Sequence, residues 1–239
     1  MHLKAMQKTA TVTNRFTEIL ALLACQVGLH ANMQSMRVAT PLDVLAQGYG
    51  ELEVGVLISF FGLAPALLAI PAGRMADHHG YHSPVRIAAG MSLLAVIIVT
   101  LCDGLLGLLL AAALSGAGSG FGMIAIQRTA GRMADNATQR IKIFSWIALA
   151  PALAGFFGPG ITGVLIDAYG FTVAFAAMAV LPLATISFSF FVPIETIESI
   201  PNSSKKTQSF TSLFSNPLFI RLLIINWLVA VSSVSYTHL

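Results

Sequence analysis

The chain has 239 residues, of which 56% are hydrophobic and only 10% are charged, and its mean hydropathy is +0.81. Soluble domains carry roughly 25% charged residues, so this composition excludes a water-soluble globule. The formal net charge is +3. Because the basic residues flank apolar segments, we interpret them as determinants of membrane topology and predict no nucleic-acid partner. The two cysteines fall in or beside apolar runs, which indicates neither a disulfide framework nor a metal site.

Six apolar segments follow one another along the chain, and each is long enough to cross a bilayer, which takes roughly 20 apolar residues. They are residues 16–37, 54–72, 85–101, 105–130, 143–166 and 171–192. The basic residues before the first segment give it the outline of a signal peptide, but the apolar run continues without a small-x-small cleavage pattern. We therefore predict a retained first helix and an all-α integral membrane protein.

A polar stretch at 193–217 separates this bundle, residues 1–192, from a seventh apolar run at 218–239. We interpret the polar stretch as a cytoplasmic linker between two halves of a longer protein. The seventh run changes abruptly to polar residues at Ser235, with no closing basic anchor. We therefore expect a fragment truncated within its seventh transmembrane helix, with a missing carboxy-terminal half as its partner, and we interpret no residue after Val234.

The lysines and arginines lie almost all on one face of the predicted membrane. Of the 13 such residues, only Arg37 falls on the face opposite the amino terminus. Because cytoplasmic loops carry an excess of Lys and Arg, we predict that the amino terminus and the linker are cytoplasmic. This topology predicts a multi-pass protein of the cell membrane, that is, an inner or plasma membrane, with the lipid bilayer as its surroundings.

The pattern Gly-x-x-x-Asp-x-x-Gly occurs twice, and each anchor residue of the second copy is displaced by 90 positions, as from Gly73 to Gly163. The two copies are Gly73, Asp77 and Gly80, and Gly163, Asp167 and Gly170. Three predicted helices separate the copies, so the two turns lie on opposite faces of the bilayer. Inverted repeats of three helices build several secondary-transporter folds. The pattern therefore predicts a six-helix bundle of two inverted three-helix repeats.

Three motifs resemble, in chain order, parts of the major facilitator superfamily: its loop between helices two and three, its loop between helices four and five, and its helix-five Gly-Pro motif. The residues that carry them are, in that order, Gly73, Asp77, Gly80 and Arg86; Asp135 and Arg140; and Gly155, Gly158, Pro159 and Gly163. The resemblance covers residues 15–235. It implies the amino-terminal half of a secondary active transporter.

The loop after the second helix acts as a latch in that family. The resemblance implies a gating role for Gly73, Asp77, Gly80, Arg86 and Arg140. The two glycines permit a tight turn, and we expect Asp77 to form an ion pair with Arg140 or Arg132. The alternative is that Asp77 only caps a helix.

Three histidines, His78, His79 and His82, stand where the family's loop usually carries basic residues. Their spacing raises the possibility of a metal site, but they lie in a solvated loop without matched carboxylates or thiols. We therefore predict no metal and no cofactor. The expected consequence is a loop that is less cationic near neutral pH and that titrates below it.

The fourth segment carries a glycine-rich run at residues 115–122. It lies inside an apolar span and not between a strand and a helix, so we do not expect it to bind a nucleotide. Pairs four residues apart, such as Gly116 with Gly120, allow two helices to approach closely. The region resembles the helix-four motif of proton-coupled drug antiporters, but Ala112 stands where their arginine is expected.

Polar residues form a stripe on the first helix. Gln26, His30, Gln34 and Arg37 follow at steps of four, four and three, which places them on one helical face. Polar groups at that depth are costly unless they face a cavity or another helix. One hypothesis is that the stripe contacts substrate, with His30 as proton carrier and Arg37 as an attractor for anions. The alternative is that it hydrogen-bonds helices one and five, with Arg37 reaching the headgroups.

These patterns predict a secondary active transporter that moves a small solute by alternating access. No motif of an intramembrane enzyme or of an ATP-binding loop occurs in the sequence, so we predict no enzymatic activity. Proton-coupled efflux of a drug or metabolite is the first hypothesis for the substrate, because the cavity residues are few and amphipathic. Uptake of a small organic anion is the second, motivated by Arg37. A non-transporting scaffold is the alternative if the chain ends at Leu239.

Overall fold

The computed structural model describes residues 2–192, 217–222 and 224–225, with side chains from residue 16 onward. The chain divides into two compact units, Met1–Ile197 and Glu198–Leu239. Residues 217–222 of the second unit are helical. Nearly all of the predicted linker and most of the predicted seventh helix lie outside the described residues.

All regular structure in the described residues is helical. The helices are α1 His2–Ala46, α2 Glu51–His79, α3 His82–Leu101, α4 Leu105–Arg132, α5 Ala137–Met178 and α6 Val180–Ser189. Each of the six predicted segments falls in this series. The chain is therefore a multi-pass bundle of helices that are long and apolar enough to cross a membrane.

Gly170 divides the last apolar stretch, Ala137–Ser189, into two crossings. This stretch is 53 residues long, and as one straight helix it would extend about 80 Å, far more than a bilayer. Gly170 has φ 81° and ψ 173°, a conformation that only glycine adopts readily. The chain therefore reverses there, so that residues 137–169 form the fifth crossing. Residues 171–178 and α6 form the sixth.

The first helix is longer than its apolar pattern predicts. It continues from the predicted end at Arg37 through Pro41 to Ala46, because Val44 in this extension is fully buried in the same core cluster as Leu57 of α2. Arg37 is therefore inside a helix and not at its end. The predicted end of the first helix at Arg37 was wrong, because the residues after Arg37 do not form a continuous apolar run. Only some of them are buried, so the sequence pattern did not show that the helix continues.

The two halves of the bundle repeat each other with inverted topology. Adding 90 to the residue numbers relates the first three helices to the second three. By this shift α1 corresponds to α4, α2 to residues 141–169 and α3 to residues 172–191. The α1 helix packs mainly against α5, and the α4 helix packs to a similar extent against α2 and α3. The α1–α5 and α2–α4 pairs exchange under the repeat. Gly80 (φ 68°) and Gly170 (φ 81°) hold equivalent turns with positive φ. The predicted fold class is confirmed.

The core forms two clusters, one toward each end of the bundle. The cluster beside the α2–α3 turn includes Leu22, Leu29 and Tyr81, and the other includes Leu57 and Phe175. We call the end with the α2–α3 turn the Asp77 end. The starts of α1, α3 and α5 and the ends of α2, α4 and α6 lie there.

Close packing of α4 depends on its glycines. A Cβ atom on Gly116 would lie 2.6 Å from the carbonyl oxygen of Phe61 in α2, and one on Gly118 would lie 2.7 Å from the carbonyl oxygen of Ala88 in α3. Such distances are far below van der Waals contact, so these helices approach as closely as they do only because the side chains are absent. The predicted role of the glycine run in helix packing follows from this geometry.

Candidate functional site

Asp77 and Arg128 form an ion pair at the Asp77 end. The Arg128 Nε atom donates to Asp77 Oδ1 at 2.8 Å, and Nη2 donates to the Asp77 carbonyl oxygen at 3.4 Å. The pair connects the last turn of α2 to the second-last turn of α4, and these two helices pack against each other. The predicted partners, Arg132 and Arg140, were wrong.

The correct arginine could not be read from the loop motif. Asp135 and Arg140 mark the loop between helices four and five, whereas Arg128 lies one helical turn before Arg132, inside α4. Arg128 and Arg132 are four residues apart, which is about one turn along the α4 axis. This shift along the axis places Arg128, and not Arg132, at the level of Asp77. A search that included the last two turns of α4, and not only the loop motif, would have found Arg128.

Arg140 holds the α4–α5 turn. Its Nη2 donates to the carbonyl oxygen of Gly131 at 3.4 Å. The side chain of Asn136 caps α5 by accepting from the Gln139 backbone N–H at 2.9 Å, and the Gln139 Oε1 accepts from the Asp135 N–H at 3.0 Å. These bonds satisfy donors that a helix start leaves without partners.

The other gating residues occupy different environments. Gly80 ends α2 with positive φ, as a turn requires, but Gly73 lies inside α2 with open space where a Cβ would be. The expectation that both glycines form the turn was therefore wrong for Gly73. The guanidinium of Arg86 lies 4.8 Å from the centre of the Phe190 ring. Arg86 thus connects the start of α3 to the end of α6 by a cation–π contact.

Tyr81 anchors the loop to α1, and the sequence patterns did not identify it. Its side chain is 1% exposed and lies beside the thiol of Cys25. Burial raises the pKa of the Tyr81 phenol above its ordinary value, so the group stays neutral at physiological pH. The available signal was an aromatic residue directly after Gly80, in a loop that is otherwise polar.

The helix-five motif contributes one glycine to a close helix contact. A Cβ on Gly158 would lie 3.1 Å from Ser35 Oγ and 3.2 Å from the Ala31 carbonyl oxygen, so a side chain here would have to displace α1 or Ser35 by a few tenths of an ångström. Gly155 has only an ordinary contact with Gln34, and Gly163 has open space. Pro159 lies inside α5 without a break in the helix.

The polar stripe of α1 divides into a buried and an exposed part. Gln26 and His30 are 1% and 8% exposed, so the helices of this bundle bury both side chains. The His30 Nδ1 lies 3.2 Å from the Gln26 carbonyl oxygen. Gln34 is half-buried beside Gly155, and Arg37 is exposed. The stripe therefore reaches the surface only at Gln34 and Arg37.

A second polar contact in the bundle lies off this stripe. The Asn32 Nδ2 donates to Ser115 Oγ at 3.3 Å, and both residues are completely buried. The pair joins α1 to the glycine-rich run of α4. Sequence reasoning missed it because Asn32 lies on a different face of α1 from the stripe, although a polar amide in an apolar segment was a visible signal.

Comparisons with known proteins agree with this architecture. The sequence model of the Major Facilitator Superfamily matches residues 22–239. The inner membrane transport protein YajR of Escherichia coli K12 is 26% identical over 197 residues, which cover 77% of this chain and 40% of that protein. The chain therefore spans less than half the length of this relative.

Solved structures of transporters share the fold. A POT family transporter in complex with a thioalcohol-conjugated peptide superposes with a TM-score of 0.67 at 18% identity, over 92% of this chain and 47% of that one. A POT family transporter in complex with 5-aminolevulinic acid gives 0.66 at 18% identity, over 92% and 47%. At these identities the likeness concerns the fold alone. Because the family match covers most of the sequence, the chain belongs to the Major Facilitator Superfamily.

Proposed function

We propose that the protein is a secondary active transporter that moves a small solute by alternating access, and that this chain supplies its amino-terminal half. The Asp77–Arg128 pair carries the proposal, because it joins α2 to α4 at one end of an inverted-repeat bundle. In this mechanism the bundle rocks against a second half, and the pair helps to hold the Asp77 end in one of the two states. The protein lies in the plasma membrane, and its Asp77 end faces the cytoplasm. This orientation agrees with the concentration of basic residues at that end.

The strength of the pair suits a reversible latch. The Asp77 side chain is 71% exposed and that of Arg128 is 18% exposed. Exposed ion pairs contribute about 0–1 kcal/mol, because water and salt screen them. A pair of this strength shifts the balance between two conformations without locking either of them.

We infer that His30 carries the coupling proton and that the transporter exports a drug or a metabolite. The Gln26 carbonyl oxygen can only accept, so the His30 Nδ1 carries the hydrogen. The Nε2 atom then keeps its lone pair, and it has no hydrogen-bond partner among the described residues. This tautomer leaves one nitrogen ready to accept a proton.

The second candidate is uptake of a small organic anion, with Arg37 as the attracting group. Arg37 is exposed on α1 and forms no ion pair with any residue whose side chain the structure describes. An arginine without a carboxylate partner can bind an anionic oxygen pair in bidentate geometry. Arg37 lies in the half of α1 that is farther from Asp77, which favours capture from the outer side.

The experiment that tests these proposals is transport by the complete protein in proteoliposomes with an imposed pH gradient. Panels of lipophilic cations, neutral drugs and small organic anions are added, and a trapped pH-sensitive dye reports proton movement. We expect solute-dependent proton flux that His30→Ala abolishes and that His79→Ala, a change of an exposed histidine, leaves intact.

The outcomes separate the alternatives. Gradient-dependent solute flux with an unchanged pH profile in His30→Ala would remove the proton-carrier role and leave transport standing. Flux restricted to anions and lost in Arg37→Gln would favour uptake of anions. No gradient-dependent flux with any solute would support a non-transporting scaffold.

A further inference from the structure

A cavity of about 370 Å³ opens at the Asp77 end, between residues 16–20 of α1, the end of α4 and the start of α5. Its walls are mainly apolar and include Phe16, Leu20 and Trp146, while Gln139 and Lys142 supply its polar groups. The volume lies in the range of sites that hold small molecules, about 300–1,000 Å³. No proposed step of transport uses this cavity.

The polar groups of the cavity are hydrogen-bond donors. The Gln139 Oε1 already accepts from the Asp135 N–H, so the Gln139 amide has its NH₂ group left to donate. Lys142 forms no ion pair with the residues whose side chains are described, and none of the residues that line the cavity is acidic. The arrangement therefore fits an anion beside an apolar surface.

The position of Trp146 identifies the depth of the cavity in the bilayer. Trp146 follows Lys142 by four residues, so both lie on one face of α5. Trp146 is 40% exposed and Phe16 is 54% exposed. Tryptophan concentrates at the level of the lipid headgroups, and lysine near helix ends extends toward the same level. The donors of the cavity thus lie where lipid phosphates lie, and its apolar walls continue toward the acyl chains.

We propose that this cavity binds an anionic phospholipid of the surrounding bilayer. The headgroup phosphate meets Lys142 and Gln139, and the first part of one acyl chain lies against Phe16, Leu20 and Trp146. A soluble anion would leave the apolar walls uncovered, whereas a zwitterionic lipid would bring its own cation close to Lys142. Basic pockets between helices at the membrane surface are suited to anionic headgroups.

Quenching of tryptophan fluorescence by brominated lipids tests this site directly. Trp227→Phe, with every tryptophan of the second half also changed to Phe, leaves Trp146 as the sole tryptophan. This protein is reconstituted into phosphatidylcholine bilayers. A small fraction of brominated phosphatidylglycerol or of brominated phosphatidylcholine is then added. We expect about fivefold enrichment of the anionic lipid at Trp146, the size that one lysine at a membrane surface provides.

Charge variants show whether Lys142 causes the preference. Lys142→Gln is expected to reduce the quenching to that of phosphatidylcholine, and Lys142→Arg to keep it. Arg74→Gln removes an exposed arginine of α2 that lies outside this cavity, and it is expected to have no effect. Equal quenching by the two lipids, no quenching by either, or an unchanged preference in Lys142→Gln would overturn the proposal. Circular dichroism of each variant checks that the helices are retained.

Discussion

At the scale of single residues, the Asp77 end depends on a few specific contacts with different burial. The Asp77–Arg128 pair is largely exposed, whereas Tyr81, four residues after Asp77, is buried beside Cys25. The exposed pair is weak and can break during a conformational change. The buried aromatic ring keeps the loop attached to α1 while it does so.

A double-mutant cycle measures the strength of the pair. Asp77→Asn, Arg128→Gln and the double variant are compared by the free energy of unfolding in SDS titrations. We expect a coupling energy of about 0.2–1 kcal/mol, as for other exposed pairs. Since Arg140 donates to Gly131 instead, the control cycle of Asp77→Asn with Arg140→Gln is expected to show no coupling. Coupling in the control cycle alone would contradict the assignment of Arg128.

The pair also has a predicted effect on conformation. Either single change, Asp77→Arg or Arg128→Asp, is expected to remove the coupling, and the two changes together are expected to restore it. The attraction between the two groups does not depend on which helix carries the positive charge. Distances between spin labels placed on the two halves of the complete protein report which state is populated. If the charge exchange changes the spin-label distances as much as Asp77→Asn alone does, the exchange has not restored the latch. That result would argue for a helix-capping role of Asp77 in place of the latch.

At the scale of the helices, glycines determine where the chain turns and where helices meet. Gly170 reverses the chain between the fifth and sixth crossings, and Gly80 does the same in the first repeat. Gly116, Gly118 and Gly158 instead allow close contact between helices. The same residue type therefore has two distinct physical roles in this fold.

Alanine substitutions distinguish these roles. Gly170→Ala is expected to destabilise the protein by about 1–3 kcal/mol, because its backbone conformation is open essentially only to glycine. Gly160→Ala, at a helical position with open space around it, is expected to be neutral or to stabilise by up to about 1 kcal/mol. SDS titrations measure both variants. Equal effects of the two changes would show that the turn does not require glycine.

At the scale of the whole molecule, the inverted repeat makes the two ends of the bundle structurally similar and chemically different. The Asp77 end holds the ion pair with Arg128, the cation–π contact of Arg86 and the cavity with Lys142. The opposite half of the bundle holds Arg37 and Asp167, which are both exposed and form no ion pair with each other. This difference gives the bundle a direction across the membrane.

The two cysteines test that direction. Cys102 is exposed in the α3–α4 turn, at the end opposite Asp77, and Cys25 is buried. If the Asp77 end is cytoplasmic, a membrane-impermeant maleimide is expected to label intact cells through Cys102. Cys25→Ser should leave the labelling unchanged and Cys102→Ser should abolish it. Labelling that needs permeabilised cells would reverse the predicted topology.

Much of this architecture follows from the sequence alone. The lengths of the apolar segments, the 90-residue spacing of the repeat and the ordered motifs predicted six helices, an inverted repeat and the family. These features are legible because they depend on position along the chain, and a membrane requires long apolar helices whatever their packing. The predicted gating and cavity residues remain hypotheses for experiment.

The tertiary structure decided which side chains meet. In the structure Asp77 pairs with Arg128, and Arg86 lies over the ring of Phe190. The side chains of Gln26 and His30 are both buried. Each outcome depends on the rotation of a helix about its axis and on its shift along that axis, and close packing at glycines sets both. Sequence spacing places residues on one helical face, but only the packing of the neighbouring helices determines what that face contacts.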